Sequence, residues 1–144
     1  MTYIHDDGGR AAAGFQGKAG DCACRAIAIA TGTPYGAAYA LLNVAAEVER
    51  PGSARRRGKR SSARTGIFKP TMRRVMADMG WKWTPTMRIG SGCTVHLRAD
   101  ELPGGRIIAA VSKHYVAVVD GEVHDNHDST RDGTRCVYGY WSKA

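Results

Sequence analysis

The chain has 144 residues, 43% of them hydrophobic, and a formal net charge of +8. That length makes one domain with room for a buried core, and its apolar runs fall well short of the roughly eighteen residues of a membrane helix. The start Met1-Thr2-Tyr3-Ile4-His5-Asp6-Asp7 is polar and lacks the shape of a signal peptide, so a cytoplasmic protein is expected, with its four cysteines (Cys22, Cys24, Cys93, Cys136) as free thiols.

The positive charge sits in one segment. Residues 50–77 hold ten Lys and Arg and no acidic residue, against +8 for the whole chain, so everything else carries a net −2. A uniformly basic surface of the kind that coats nucleic-acid binders is therefore excluded.

In chain order, residues 1–21 are Gly-rich and irregular, and are predicted as a loop that wraps toward the site. Asp21 reads as the N-cap of a helix from 22 to about 30, which Gly32 stops. Thr33-Pro34 opens a second helix, with Thr33 as N-cap and Pro34 in its first position. Tyr35, Ala38, Tyr39, Leu42, Ala45 and Ala46 recur at helical spacing and predict one buried face, and Pro51-Gly52 ends the element. Residues 52–66 have no periodicity and nothing to bury, which predicts a basic loop insertion. A third helix follows from about Pro70 to Gly80, burying Met72, Val75, Met76 and Met79. A short fourth helix is expected around 95–102.

From Arg106 the pattern changes to strands: 106–111, 114–119, 122–125 and a final one at 136–141. Asp120-Gly121 is a strong two-residue hairpin signal. Helices followed by an antiparallel sheet make an α+β domain spanning residues 1–144.

Four residues stand out chemically. Cys22 begins a helix, where unpaired N–H groups and the helix dipole favour a thiolate and can help to hold an oxyanion. Cys24, two residues on, points about 200° away and reads as core. His114 begins a strand that is otherwise apolar. If Asp120-Gly121 turns the hairpin, Val118 faces Val123, and His114 shares a face with Asp125 as a diagonal neighbour. Asp125 would then orient the imidazole, with Asn126 as the alternative under a shifted register.

Gln16, Cys22, His114 and Asp125 follow the motif order of the papain-like cysteine peptidases, including their bacterial and phage C39-like members, and the chain resembles them. It is also similar in outline to small phage proteins that share Gly-Asp-Cys, Pro-Gly-Gly-Arg and His-x6-Gly-x2-His-Asp. The resemblance covers most of residues 14–128. It implies a helical half with the nucleophile packed on a β half with the base, and Gln16, six residues before Cys22, as an oxyanion donor. It also implies cleavage of a peptide or isopeptide bond in a protein or peptide substrate. An aromatic residue after Cys22 is missing, and the chain is shorter than a full papain domain.

Other readings compete. His124 and His127 fall on opposite faces of a strand, and Cys22-x-Cys24 is too tight for zinc, so no metal or other cofactor is expected. The basic loop (Arg55, Arg56, Arg57, Lys59, Arg60, Arg64) could engage an acidic protein or nucleic acid on a scaffold whose catalysis is lost. The same Cys–His pair could also transfer an acyl group to an amine.

Overall fold

The computed structural model describes residues 1–49 and 60–144. The expectations for Arg55, Arg56, Arg57 and Lys59 lie outside these residues. In chain order the elements are β1 (Thr2–His5), α1 (Cys22–Thr31), α2 (Tyr35–Glu47), α3 (Lys69–Asp78), β2 (Trp81–Pro85), β3 (Arg106–Val111), β4 (His114–Val119), β5 (Glu122–Asp125) and β6 (Val137–Lys143). The class is α+β, with the strands in one six-stranded sheet of order β1-β5-β4-β3-β6-β2.

The centre of the sheet explains its sequence. Ile108, Ala110 and Ala117 join a core with α1, α2 and α3. Ile107, Ala109, Val111, Val116 and Val118 join a second core with Leu97, Leu102, Val123 and Val137. Strands covered on both faces have no solvent side, so residues 107–111 and 115–119 read as unbroken apolar runs. In α1 every residue from Ala23 to Ala30 is buried. Gly32 ends that helix at φ 77°, a left-handed geometry that glycine adopts without steric cost. In α3, Met72, Val75 and Met76 are buried and Met79 packs partly against them.

Several expectations are corrected. The sheet is mixed, because β1, read as loop, pairs parallel with β5 and sets His5 opposite Asp125. Trp81–Pro85 forms the other edge, β2, against β6. Residues 95–102 are not helical: Leu97 N–H donates to Arg135 O (2.8 Å) and Val137 N–H to Val95 O (2.8 Å), so this segment runs beside the start of β6 as cover for the second core. Thr33 does not cap α2. Pro34 takes that position, and the Thr33 hydroxyl pairs with Thr31 instead (2.6 Å).

Residues 60–66 do not lie free. Ala63 is 1% exposed, its N–H donates to Asn43 Oδ1 (2.8 Å), and the Glu49 carboxylate accepts from Ser61 N–H (2.8 Å). These bonds fasten the turn to the end of α2. The charge run had masked the small residues Ser61 and Ala63, which are the ones that pack.

Cys93 and Cys136 form a disulfide with their Cα atoms 5.8 Å apart, against the expectation of four free thiols. Their separation of 43 residues gives no local spacing signal, and they meet because residues 93–97 run alongside β6. Denatured, unreduced protein is expected to titrate two thiols with Ellman's reagent, rising to four after reduction. In the native state only Cys22 should react quickly, since Cys24 is fully buried. Closing a loop of this size stabilises by at most about 4 kcal/mol on chain-entropy grounds, so Cys93→Ser should lower stability by about 2–4 kcal/mol. Four thiols in the unreduced, denatured chain would contradict the bridge.

Candidate active site

Cys22 is the first residue of α1, and α1 packs across β4. His114 is the first residue of β4 and Asp125 the last of β5. Asp120 (φ 49°) and Gly121 (φ 80°) form the tight turn between these strands. The register pairs Val118 with Val123 and Val119 with Glu122, so His114 and Asp125 share the same parity. They meet at 2.6 Å, His114 Nε2 to Asp125 Oδ2. Nδ1 is then the ring nitrogen left over, and Cys22 lines the same cavity as His114.

The electrostatics are those of a coupled pair. Burial pushes the Cys22 thiol up. The hydrogen bond and charge of His114, the Tyr115 backbone N–H and the Arg25 guanidinium outweigh it, and the net direction is below the ordinary thiol value. Burial alone would lower His114, but Asp125 on one side and Cys22 on the other push it up to about 9. Asp125 is raised by burial and lowered more strongly by His114, by the Asn126 N–H and by Arg25, so it ends below the usual carboxylate range. Cys24 has no such partner: burial pushes it up to about 12, and its sulfur sits 3.6 Å from the Tyr35 carbonyl oxygen. It is a core residue, as its helical angle implies.

A buried ionic network holds this triad. Asp125 Oδ1 accepts from Arg25 Nη2 (3.3 Å) and Asn126 N–H (2.7 Å), and Oδ2 also accepts from Ser129 Oγ (3.0 Å). Arg25 also donates to Asp21 one helical turn back. Asp21 accepts from the Tyr35 hydroxyl (2.5 Å) and lies 3.4 Å from Arg10 Nε, an ion pair without hydrogen-bond geometry. Asp21 does hold the N-cap position of α1, but its carboxylate is spent on Arg25 and Tyr35, and the first turn receives no side-chain cap. Arg25 was missed in sequence, although a lone charge inside the Ala23–Ala30 apolar run is the signal of a buried pair.

The structure places the remaining candidates differently. Gln16 is exposed and does not line the cavity at Cys22. Its backbone oxygen accepts from Arg10 (3.1 Å) and Arg64 (3.3 Å), which makes Arg64 a brace for the loop before Cys22. Arg60 is exposed. Asn126 faces His127 (Oδ1 to Nδ1, 2.6 Å), not His114.

Ligand atoms of His114, Asp125 and His127 lie within 4.8 Å of one another, which is metal-like spacing. Asp125, however, already accepts from His114, Arg25, Asn126 and Ser129, and a cation there would sit against the Arg25 guanidinium. The site is better matched to a proton shared between Cys22 and His114 than to a metal ion.

A cavity of about 520 Å³ opens at the thiol, walled by residues 19–22, the 65–67 turn, the start of α3, the β3–β4 turn and the tryptophans of β2 and β6. Set against known protein families, curated proteins and solved structures, the chain matches none of them.

Proposed function

We propose that this protein is a thiol hydrolase of papain-like plan that cleaves a peptide or isopeptide bond. The observation that carries the reading is the Cys22–His114–Asp125 set: a thiol on a helix N-terminus, lining one cavity with an imidazole whose charge favours the thiolate and whose Nε2 is 2.6 Å from a buried carboxylate.

In the first half-reaction Cys22 Sγ, its proton already on His114, attacks the carbonyl carbon. The negative charge that forms on oxygen is met by the uncapped N–H groups at the start of α1. His114 then gives its proton to the leaving nitrogen as the C–N bond breaks, which leaves a thioester on Cys22. In the second half, water attacks the thioester, His114 takes its proton, and the acid and the Cys22–His114 pair are regenerated. Asp125 accepts the other imidazole N–H throughout, fixing the ring and stabilising its charged form.

Both directions of shift define the working window. Reactivity is lost as pH falls through the lowered Cys22 value, because the thiolate is protonated. It is lost again as pH rises through about 9, because His114 no longer holds the proton needed by the leaving group. Iodoacetamide labelling of Cys22, followed by intact mass and peptide mapping, tests the acid limb. Wild type is expected to label with a midpoint below the ordinary thiol pKa of about 8.5, and His114→Ala to shift that midpoint up. Equal midpoints in the two proteins would remove the functional reading of the pair.

A further inference from the structure

The cavity at Cys22 is uneven in its chemistry. Its floor is aromatic: Trp83 and Trp141 lie with ring centroids 4.4 Å apart, beside Tyr138 and Tyr115. Trp83 reaches this position because residue 139 is glycine, where a Cβ would meet the indole ring at 2.3 Å. Its rim is cationic. Lys69 and Arg73 stand one turn apart on α3, and Lys113 sits in the β3–β4 turn immediately before His114. All three are exposed, and among the described residues none of them has an ion-pair partner. The carboxylate that lines the cavity, Asp21, is already neutralised by Arg25.

Lys113 carries a second, independent sign. Its φ is 55°, in the left-handed region, within a two-residue turn between Val111 and His114. Glycine or asparagine occupies such a position with less strain. A lysine here is disfavoured by local conformation yet supplies a charge at the mouth of the cavity.

We propose that the cavity selects peptides that carry a carboxylate next to an apolar or aromatic side chain, with Lys69, Arg73 and Lys113 holding the carboxylate and the Trp83–Trp141 floor holding the ring. Unpaired cations over a partly enclosed apolar floor concentrate anionic ligands, and the aromatic floor supplies contact area that a bare polyanion does not use. This deepens the reading of Cys22 as a hydrolase nucleophile, but the binding step itself does not depend on the thiol.

The test is calorimetric titration of Cys22→Ala protein with capped Ala-Glu-Phe-Glu-Ala amide, its Gln and Lys counterparts, Ala-Gln-Phe-Gln-Ala with a free C-terminal carboxylate, and oligo-dT. A carboxylate peptide should bind roughly tenfold tighter than the capped Gln peptide, as three modest ion pairs allow, with the Lys peptide weakest. Binding by the capped Glu peptide assigns the carboxylate to a side chain. Binding by the uncapped Gln peptide in its place assigns it to a chain terminus.

Lys113→Asn is the decisive variant, because relief of the turn should leave its melting temperature unchanged or raised while the preference for carboxylate falls several-fold. Adding Lys69→Gln and Arg73→Gln should abolish that preference. Equal affinity for the capped Gln peptide and both carboxylate peptides, the capped Glu and the uncapped Gln, or a preference unmoved by the three substitutions, overturns the proposal. So does oligo-dT binding more tightly than any peptide. Failure of the hydrolase reading would show separately, as an unshifted alkylation midpoint at Cys22.

Discussion

His114→Ala is expected to slow acylation of Cys22 by about 10²–10⁴-fold at pH 7, the range for loss of a positioned general acid–base group. Cys22→Ala should abolish it. The readout is the p-nitrophenolate burst from p-nitrophenyl acetate, with the acyl-protein followed by intact mass. The substitution causes two losses, and the ester reads the first of them. Without the imidazolium, burial acts on Cys22 without its main opposing force, so little thiolate exists at neutral pH. The acid that protonates a leaving group is also gone. Because p-nitrophenolate leaves without a proton, the ester isolates the first loss, and a peptide substrate should show a larger deficit than the ester in the same variant. A burst of undiminished rate in His114→Ala would place the nucleophile elsewhere or make its reactivity independent of the pair. His114 is part-buried at a strand end, so the substitution should leave the melting transition cooperative. Far-UV circular dichroism of the variant checks this directly.

The triad was legible because its β half is local. Asp120-Gly121 sets a two-residue turn, the turn sets register, and register puts His114 and Asp125 on one face before any tertiary contact is known. Strands β3 and β4 were legible as apolar runs bounded by turn signals, and β5 as the returning arm of the Asp120-Gly121 hairpin. The edges of the sheet were not. β1 is a four-residue strand, mostly exposed, whose partner lies more than a hundred residues away, so neither alternation nor a turn marks it. β2 ends in Pro85, a residue tolerated at an edge but one that argues against a strand when read alone.

The charged residues divide in the same way. Asp21 beside Cys22 suggested a cap because capping is the local use of an aspartate. Its actual partners, Arg25 and Tyr35, are selected by burial, and burial cannot be read from one residue's neighbours in sequence. Gln16 was placed by the resemblance to papain-like peptidases. In the fold its backbone, not its amide, is what Arg10 and Arg64 hold.

Arg25→Met is the second substitution with a large expected effect, and it separates support of the fold from tuning of the site. Asp21, Arg25 and Asp125 are 2%, 5% and 3% exposed, and Arg25 is the group that both carboxylates share. Removing it leaves two buried negative charges facing a methionine, and loss of one partner from a buried ionic cluster costs about 3–5 kcal/mol. Denaturant unfolding should report a loss of that size. The Cys22 alkylation midpoint should rise as well, since Arg25 favours the thiolate directly and helps to hold Asp125 against His114.

The double variant Asp21→Asn/Arg25→Met distinguishes the two roles. It removes one buried charge of each sign, so much of the lost stability should return. The alkylation midpoint should stay raised, because Asp125 and Cys22 still lack the guanidinium. If the double variant restored both, Arg25 would be a structural ion-pair partner only, and tuning of the thiol would rest on His114 alone.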